Sequence, residues 1–439
     1  MILRNGSKAT LARFLAVATG LIFSGGCGGS SSSSSTSTPA ANNTAPMTVG
    51  FGPLGAPGGF VDGLFTSVTV CLPGTSTCQT IPDVLVDSES VGLRILNSAL
   101  TTFPASSLGT ITNNGNQLQE CLQFGDLSYV WGPVLVADVE LGGEKASSVP
   151  IQVIGDTTFN APSNCFGTNP IGLNDDTVAN LGANGILGVQ NYAQDCGGSC
   201  TSSGAFFTGY PYYVCPSDVC SETFVPLTSQ VWNPVAAFSS ADNNGVLITL
   251  PSIPATGAAD GSVSGSLIFG IGTQTDNALA SSAIVYALDA YGNFPQVTYN
   301  GTQYTSPNNG SFIDTGSSGL FVLDASTLGI ADCRDNGYYC PSQTLTLSNI
   351  ALTGYGNVGS GTVSLSIANA DALFAANPTF AAFNNLGSDS GTGPSTDFFD
   401  FGLPFFFGRR VYIGMMPGQF SGESSAPSGA SSTYGYWAF

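Results

Sequence analysis

The sequence contains no histidine among its 439 residues, and this absence excludes several classes of active site. Serine and cysteine hydrolases that use a histidine base need the missing side chain, and so do zinc sites of the H-E-x-x-H type. Charged residues are also scarce, at 8% of the chain, and acids outnumber bases by 28 to 8. The net charge of −20 argues against binding to the phosphate backbone of nucleic acid. Carboxylates remain as the obvious candidates for acid–base chemistry.

The N-terminal segment has the order of a secretory signal. Three basic residues precede an apolar run from Phe14 to Phe23, and small residues follow it. This run is too short to cross a bilayer as a helix, which takes about 20 residues. Residues 1–27 are therefore predicted to be a signal peptide that directs export.

The small residues before Cys27 resemble the cleavage site of bacterial lipoproteins, in which the cysteine becomes the lipidated N-terminus. An ordinary signal peptide with an unmodified Cys27 is the alternative. Residues 28–47 are rich in Ser, Thr and Gly and are predicted to form a disordered tether. Gly28 in place of an aspartate after the cysteine implies, by the same resemblance, the outer membrane of the bacterial cell envelope. The membrane partner would then be reached through the N-terminal lipid.

The remaining ten of the eleven cysteines predict five disulfides, because an even number in an exported chain is typical of a disulfide framework. Two pairs are close enough in sequence to clip local loops. A third pair follows by elimination, provided that the four cysteines between residues 196 and 220 pair among themselves. These three predicted pairs are Cys71 with Cys78, Cys333 with Cys340, and Cys121 with Cys165. The spacing C-x3-C-x14-C-x4-C over 196–220 leaves a zinc site as the alternative.

The pattern of apolar residues predicts a mainly β protein with a few short helices. Alternating or apolar runs such as GPVLVADVEL, VPIQVI, GVLITL and GTVSLSIANA are separated by turns with Gly, Asn and Pro. Short helices are expected near 95–101, 178–183, 225–238 and 368–384. The apolar PFFFG run predicts a buried strand. The length suits two lobes, placed at 48–240 and 241–439.

An internal repeat links the two halves. VDSESVGLRIL at 86–96 aligns with IDTGSSGLFVL at 313–323, so that Asp87 matches Asp314 and five of eleven positions agree. Each motif is followed by an apolar strand that ends in glycine, at Gly188 and Gly402. Two such loops that meet at an approximate two-fold axis would bring the aspartates together, and like charges at that distance share one proton. One carboxylate could then activate water while the other donates a proton.

These residues resemble the pepsin-like aspartic peptidases, whose catalytic loop is similar to the Asp-Thr-Gly-Ser string that begins at Asp314. The resemblance implies a bilobal double β-barrel with pseudo-two-fold symmetry, a polypeptide substrate, and no cofactor or metal. It also implies the roles of individual residues. These are Asp87 and Asp314 as the catalytic pair, Ser88, Ser90, Thr315, Gly316 and Ser317 as supporting loop residues, and Phe124 and Tyr129 in the flap.

Over about 48–439 the chain also resembles a family of bacterial lipoproteins known as a domain of unknown function, notably through FGLPFFFGRRVYIG. Glu89 stands where the peptidases have glycine, and its carboxylate would add charge beside the pair. Two hypotheses follow. The protein is either an anchored aspartic endopeptidase, weakened or inactivated by Glu89, or a catalytically silent binding or scaffold lipoprotein. Its oligomeric state is left open.

Overall fold

The computed structural model describes residues 43–55, 60–166, 174–202, 211–306, 310–334, 337–390, 397–420 and 434–439. The predicted signal peptide, Cys27 and most of the predicted tether lie outside these residues. Among the described residues, no helix has the length and apolar character needed to span a bilayer.

Strands are the main regular structure of the described residues. The first half contains β1 Thr44–Gly50, β2 Gly63–Cys71, β3 Cys78–Asp87, β4 Val91–Leu96, β5 Gly109–Thr110, β6 Thr112–Asn113, β7 Asn116–Gln123, β8 Tyr129–Leu141, β9 Glu144–Ile154, β10 Gly185–Val189, β11 Tyr212–Val214 and β12 Ser221–Glu222. The second half contains β13 Gly245–Thr249, β14 Ala258–Ala259, β15 Val263–Phe269, β16 Val285–Ala287, β17 Gln296–Tyr299, β18 Thr302–Thr305, β19 Phe312–Ile313, β20 Leu320–Val322, β21 Leu345–Thr353, β22 Ser360–Ile367, β23 Phe380–Ala382, β24 Gly387–Ser388, β25 Phe399–Phe401, β26 Arg410–Gly414 and β27 Tyr436–Ala438.

Helices are few and short, as the sequence predicts. The α-helices are α1 Val178–Leu181, α2 Ala325–Leu328 and α3 Ala370–Ala376. The 3₁₀ turns are Asn97–Ala99, Ala105–Ser107, Ser163–Phe166, Gly197–Cys200, Leu227–Ser229, Pro234–Ala237, Tyr355–Asn357 and Leu403–Phe406. The predicted fold class, mainly β with short helices, is confirmed. The PFFFG run is buried but forms the last of these turns instead of a strand, because Pro404 has no amide hydrogen for a sheet ladder.

One antiparallel sheet joins strands from both halves of the chain in the order β1–β15–β13–β26–β27–β16. Within it, Met47 lies opposite Gly265. The predicted tether is therefore wrong at its end, because Thr44–Met47 already belong to β1. The lobe boundary between 240 and 241 stays a prediction.

The main hydrophobic core also includes residues from both halves, among them Val86, Leu187, Ile313 and Phe401. All four are fully shielded from solvent. They lie on β3, β10, β19 and β25, the strands that cross beside the two aspartates, so the strands that position the candidate site are buried in the core.

All five predicted disulfides are present. The three pairs predicted singly are confirmed, and the four cysteines between 196 and 220 form Cys196–Cys200 and Cys215–Cys220. The zinc alternative for this group is therefore wrong, because disulfide sulfurs do not serve as thiolate ligands. Five disulfides are typical of an exported protein that folds in an oxidising compartment.

Candidate active site

Asp87 is the last residue of β3 and lies at a crossing of three strands. β10 runs between β3 and β4, so that Gly188 faces Asp87 on one side and Gly92 on the other. A Cβ on Gly188 would lie 2.6 Å from the carbonyl oxygen of Ser90. Glycine is therefore required at the crossing, because only a residue without a side chain lets the loop after Asp87 approach β10 so closely.

Asp314 lies at the corresponding crossing in the second half. β25 runs between β19 and β20, and the amide of Asp314 donates a 3.1 Å hydrogen bond to the carbonyl of Phe401. A Cβ on Gly402 would lie 2.0 Å from the carbonyl oxygen of Gly319. The two halves of the sequence repeat thus form the same strand crossing, and each crossing depends on its glycine.

Four hydrogen bonds join the two aspartate loops. The Ser88 amide donates to Thr315 Oγ1 at 3.1 Å, and the Thr315 amide donates to Ser88 Oγ at 2.9 Å. Each hydroxyl then donates to a carbonyl of the opposite strand, Ser88 to Ile313 at 3.1 Å and Thr315 to Val86 at 2.7 Å. Both side chains are fully buried. This reciprocal arrangement holds the loops face to face across an approximate two-fold axis.

The carboxyl groups of Asp87 and Asp314 meet beside Gly316. Both side chains are fully buried, and a Cβ on Gly316 would lie 2.9 Å from Asp87 Oδ1 and 3.1 Å from Asp314 Oδ1. The amide of Gly316 donates to Asp314 Oδ1 at 2.7 Å, and the amide of Glu89 donates to Asp87 Oδ1 at 2.9 Å. A side chain on Gly316 would therefore push into the space between the two acids.

The two carboxyl groups influence each other's ionisation. Burial and the charge of Asp87 raise the pKa of Asp314 to about 7. Burial also opposes ionisation of Asp87, but the Glu89 amide and the neighbouring side chains of Ser90 and Asp314 lower the pKa of this carboxyl. The pKa directions of the two carboxyl groups are therefore opposite, raised for Asp314 and lowered for Asp87.

Glu89 fits beside the pair without backbone strain. It is not among the described non-glycine residues with positive φ. Its Oε1 accepts a 3.0 Å hydrogen bond from Gln190 Nε2, and its Oε2 is shielded from solvent. Burial and the charges of Asp314 and Asp87 raise the pKa of Glu89 well above its usual value. Burial beside two other acids therefore favours the neutral form of Glu89, which adds less charge to the site than the sequence alone indicates.

Asp400 is a third acid at the pair, and sequence reasoning missed its role. It is fully buried in β25, and Ser317 Oγ lies 2.6 Å from its Oδ2 and 2.9 Å from Asp314 Oδ2. The sequence does contain a feature that could have indicated this role. Asp400 is an aspartate in an otherwise apolar strand that ends in glycine, where the first half of the repeat has Ile186-Leu187-Gly188. A buried acid in such a strand requires a polar partner.

The two predicted flap residues lie in different places. β7 and β8 form a hairpin whose turn begins at Phe124. Phe124 is buried in the same hydrophobic cluster as Leu85 and Ile186, which lie on the strands that lead to Asp87 and Gly188. Tyr129 belongs to another cluster, and its hydroxyl accepts a 3.2 Å hydrogen bond from Asn174. Of the two, the structure brings only Phe124 to the strands of the candidate site.

A buried ion-pair network connects the first aspartate loop to the flap hairpin. Arg94 on β4 contacts Glu120 on β7 at 2.7 Å and Asp195 at 3.0 Å. The hydroxyl of Tyr212 on β11 donates to Asp195 at 2.6 Å, and β11 pairs with β7 along the edge of the hairpin. The hairpin of β7 and β8 is therefore held to the rest of the protein through β7.

Comparison with solved structures finds similarity to the crystal structure of an aspartic proteinase from Irpex lacteus. The sequences are 15% identical, the match covers 90% of this chain and 96% of that protein, and the TM-score is 0.48. Nothing about activity follows from a likeness of this size. No curated protein matches the sequence. A family model described as "Protein of unknown function (DUF3443)" matches residues 39–437, and the chain belongs to that family.

Proposed function

We propose that the protein is an aspartic-type endopeptidase in which Asp87 and Asp314 hydrolyse a peptide bond of a bound polypeptide. The observation that carries this proposal is the reciprocal bonding of Ser88 and Thr315, which holds two buried carboxyl groups within hydrogen-bond reach of each other. Such a pair retains one proton, and a shared proton lets one group act as base while the other acts as acid.

The chemistry assigns a different task to each acid. Ionised Asp87 would take a proton from a water molecule as its oxygen forms a bond to the peptide carbonyl carbon. Protonated Asp314 would donate its proton to the carbonyl oxygen, so that negative charge does not accumulate there. In the second step the C–N bond breaks, the nitrogen takes the proton from Asp87, and the hydroxyl formed on the carbonyl oxygen returns its proton to Asp314. The pair then has its starting protonation.

The pKa directions set the pH range of this activity. The singly protonated pair exists above the pKa of Asp87, which is lowered, and below that of Asp314, which is raised to about 7. Cleavage should therefore extend from acidic pH to near neutrality and decline as Asp314 loses its proton.

Cleavage of a fluorogenic peptide library between pH 3 and 9 tests the proposal. Purified protein should cleave, and Asp314→Asn and Asp87→Asn should lower kcat by at least about a thousandfold, since one partner cannot replace the other. The matched control is Asp371→Asn, an exposed acid on α3, which should leave cleavage unchanged. Cleavage that persists in Asp314→Asn contradicts the mechanism.

Glu89 favours the second candidate, a silent binding or scaffold protein with the same two-loop architecture. Its carboxyl group lies beside the pair and is held by Gln190, at the place where the peptidases that the chain resembles have glycine. Glu89→Gly and Glu89→Gln separate the candidates. If Glu89 blocks the site, cleavage appears only in Glu89→Gly, whereas an enzyme with neutral Glu89 cleaves as wild type and as Glu89→Gln.

We further propose that Cys27 is lipidated and that the protein is anchored at the outer membrane of the bacterial cell envelope through the segment before β1. The small residues before Cys27 and the Ser-rich stretch after it support this location. Labelled fatty acid should be incorporated into the wild type and not into Cys27→Ser. Equal labelling of the two proteins contradicts lipidation.

A further inference from the structure

Asp400 lies in the middle of β25, between β19 and β20. It is opposite Phe312 on one side and Phe321 on the other, and its side chain is fully buried. Its Oδ1 has no hydrogen-bond partner among the described residues. An ionised carboxylate in this place would lack the donors that usually compensate a buried charge.

The Ser317 hydroxyl lies between two carboxyl groups but has only one hydrogen. Its Oγ is 2.6 Å from Asp400 Oδ2 and 2.9 Å from Asp314 Oδ2. A hydroxyl donates one hydrogen bond and accepts others, whereas an ionised carboxylate only accepts. Both short contacts are attractive only if one of the two acids is protonated and donates to Ser317.

We propose that Asp400 is a positioning residue that, as a neutral acid, donates to Ser317 Oγ and so directs the Ser317 hydrogen at Asp314 Oδ2. This inference rests on the proposed function of the aspartate pair. The outer oxygen of Asp314 then has a donor throughout the reaction, including the step in which Asp314 is ionised. Successive hydrogen bonds also polarise one another, which strengthens the bond from Ser317.

The charged groups that face Asp400 favour the neutral form. Asp314, Asp87 and Glu89 are the acids whose charges interact with it. Burial and the charge of Asp314 raise the pKa of Asp400 well above its usual value. If Asp400 ionised, the Ser317 hydrogen would turn to it, and Asp314 Oδ2 would lose the hydrogen bond from Ser317. Neutral Asp400 therefore preserves the geometry of the pair.

Substitutions at Asp400 distinguish this role from simple packing. Asp400→Asn supplies an N–H donor that does not ionise, so kcat should stay within about twofold of wild type. Asp400→Leu removes the donor, so the hydrogen bond from Ser317 to Asp314 is no longer oriented. We then expect kcat to fall roughly tenfold or more, with KM little changed. The matched control is Asp397→Asn, a buried acid two residues before β25 that interacts with Asp324 instead of the pair.

A double-mutant cycle with Ser317→Ala measures whether the two residues act together. Ser317→Ala, Asp400→Leu and the double variant should lose similar factors in kcat, because each removes the same oriented bond. Additive losses, or equal kcat and pH profiles in Asp400→Leu and wild type, overturn the proposal. If Asp400→Leu does not fold, a loss of tenfold or more in Asp400→Asn overturns it as well.

Infrared spectroscopy tests the protonation of Asp400 without any cleavage. The difference spectrum between wild type and Asp400→Asn at pH 7 should contain the carbonyl stretch of a protonated carboxylic acid. A carboxylate band in its place overturns the proposal even in an active enzyme. If wild type cleaves nothing and the carboxylic acid band is present, the proposed peptidase function fails while the neutral state of Asp400 is supported.

Discussion

Ser88 and Thr315, 227 residues apart, exchange hydrogen bonds in both directions, because the amide of each donates to the hydroxyl of the other. The two hydroxyl groups have equivalent roles, since each also donates to the strand that carries the other residue. Serine in the first loop therefore does the same work as threonine in the second. Because each half of the repeat supplies one partner, these hydrogen bonds join the two aspartate loops into one site.

Loss of one hydroxyl should weaken the protein because buried partners are left unsatisfied. Thr315→Val keeps the shape of the side chain but removes the acceptor for the Ser88 amide and the donor to the Val86 carbonyl. We expect the loss of both hydrogen bonds to lower the free energy of unfolding by about 2–4 kcal/mol. Urea denaturation followed by fluorescence measures this change. Ser88→Thr keeps the hydroxyl and serves as the control. An unchanged midpoint for Thr315→Val would contradict the importance of the exchange.

Alanine at the strand crossings should be poorly tolerated. In Gly402→Ala the new methyl group would lie 2.0 Å from the Gly319 carbonyl oxygen, and the contact is with backbone that cannot rotate away. We expect destabilisation at or above the upper end of the about 1–3 kcal/mol typical of overpacking. The measurement is the thermal midpoint and the yield of soluble protein. Gly198→Ala, where no atom lies within 4 Å of the new Cβ, should behave as wild type.

Arg94 should be essential to the fold because its guanidinium group pairs with two buried acids. Arg94→Met leaves Glu120 and Asp195 without their cation, and breaking a buried ion pair in this way costs about 3–5 kcal/mol. Denaturant unfolding at pH 7 measures the loss. Lys145→Met removes a partly exposed cation that pairs with Asp138, and its effect on stability should be much smaller because solvent screens the pair. Similar losses in both variants would show that burial does not matter here.

Stability should fall as pH rises through the neutral range. The pKa of Asp314 is raised from its usual value of 3.8 to about 7 in the folded protein, so the folded state binds this proton more tightly than the unfolded state does. The contribution is fully present below pH 3.8 and is lost as pH rises to about 7. Asp314→Asn should therefore flatten the dependence of the free energy of unfolding between pH 4 and 7. A slope that Asp314→Asn leaves unchanged would assign the effect to other acids.

The carboxyl group of Asp324 should make stability depend on pH in the direction opposite to that of Asp314. Hydrogen bonds from Ser326 and Thr327 at the start of α2 lower its pKa, so its contribution is present above pH 3.8 and is lost in more acidic solution. Asp324→Asn should consequently change the dependence of the free energy of unfolding on pH in solutions more acidic than pH 3.8.

The local elements were largely predictable because their signals lie in short stretches. The strands around GPVLVADVEL and GVLITL, the short helices and the disulfide pairs follow from apolar alternation, turn residues and cysteine spacing. The PFFFG run shows the limit of such signals. The apolar composition correctly predicted that this run is buried. It did not predict the 3₁₀ turn that contains Pro404, because a hydrophobic pattern does not distinguish such a turn from a strand.

The site was predictable only in part. The repeat identified Asp87 and Asp314 and the glycines that follow them, because duplicated residues remain aligned in the sequence. Asp400 and the Arg94 network were missed because each depends on contacts between residues far apart in the chain, such as the 83 residues between Ser317 and Asp400. Likewise, nothing in the sequence distinguishes Phe124, which packs toward the site, from Tyr129, which packs away from it.

The sequence by itself determined the mainly β character, the disulfide framework and the pair of matching acidic loops, since these depend on periodicity, spacing and repetition along the chain. Tertiary structure decided which acids lie against each other, that burial favours the neutral form of Glu89, and that a third carboxyl group lies near Asp314. Those properties depend on distance and burial in space. Charge interactions and desolvation act between whichever groups the fold brings together, regardless of their separation along the chain.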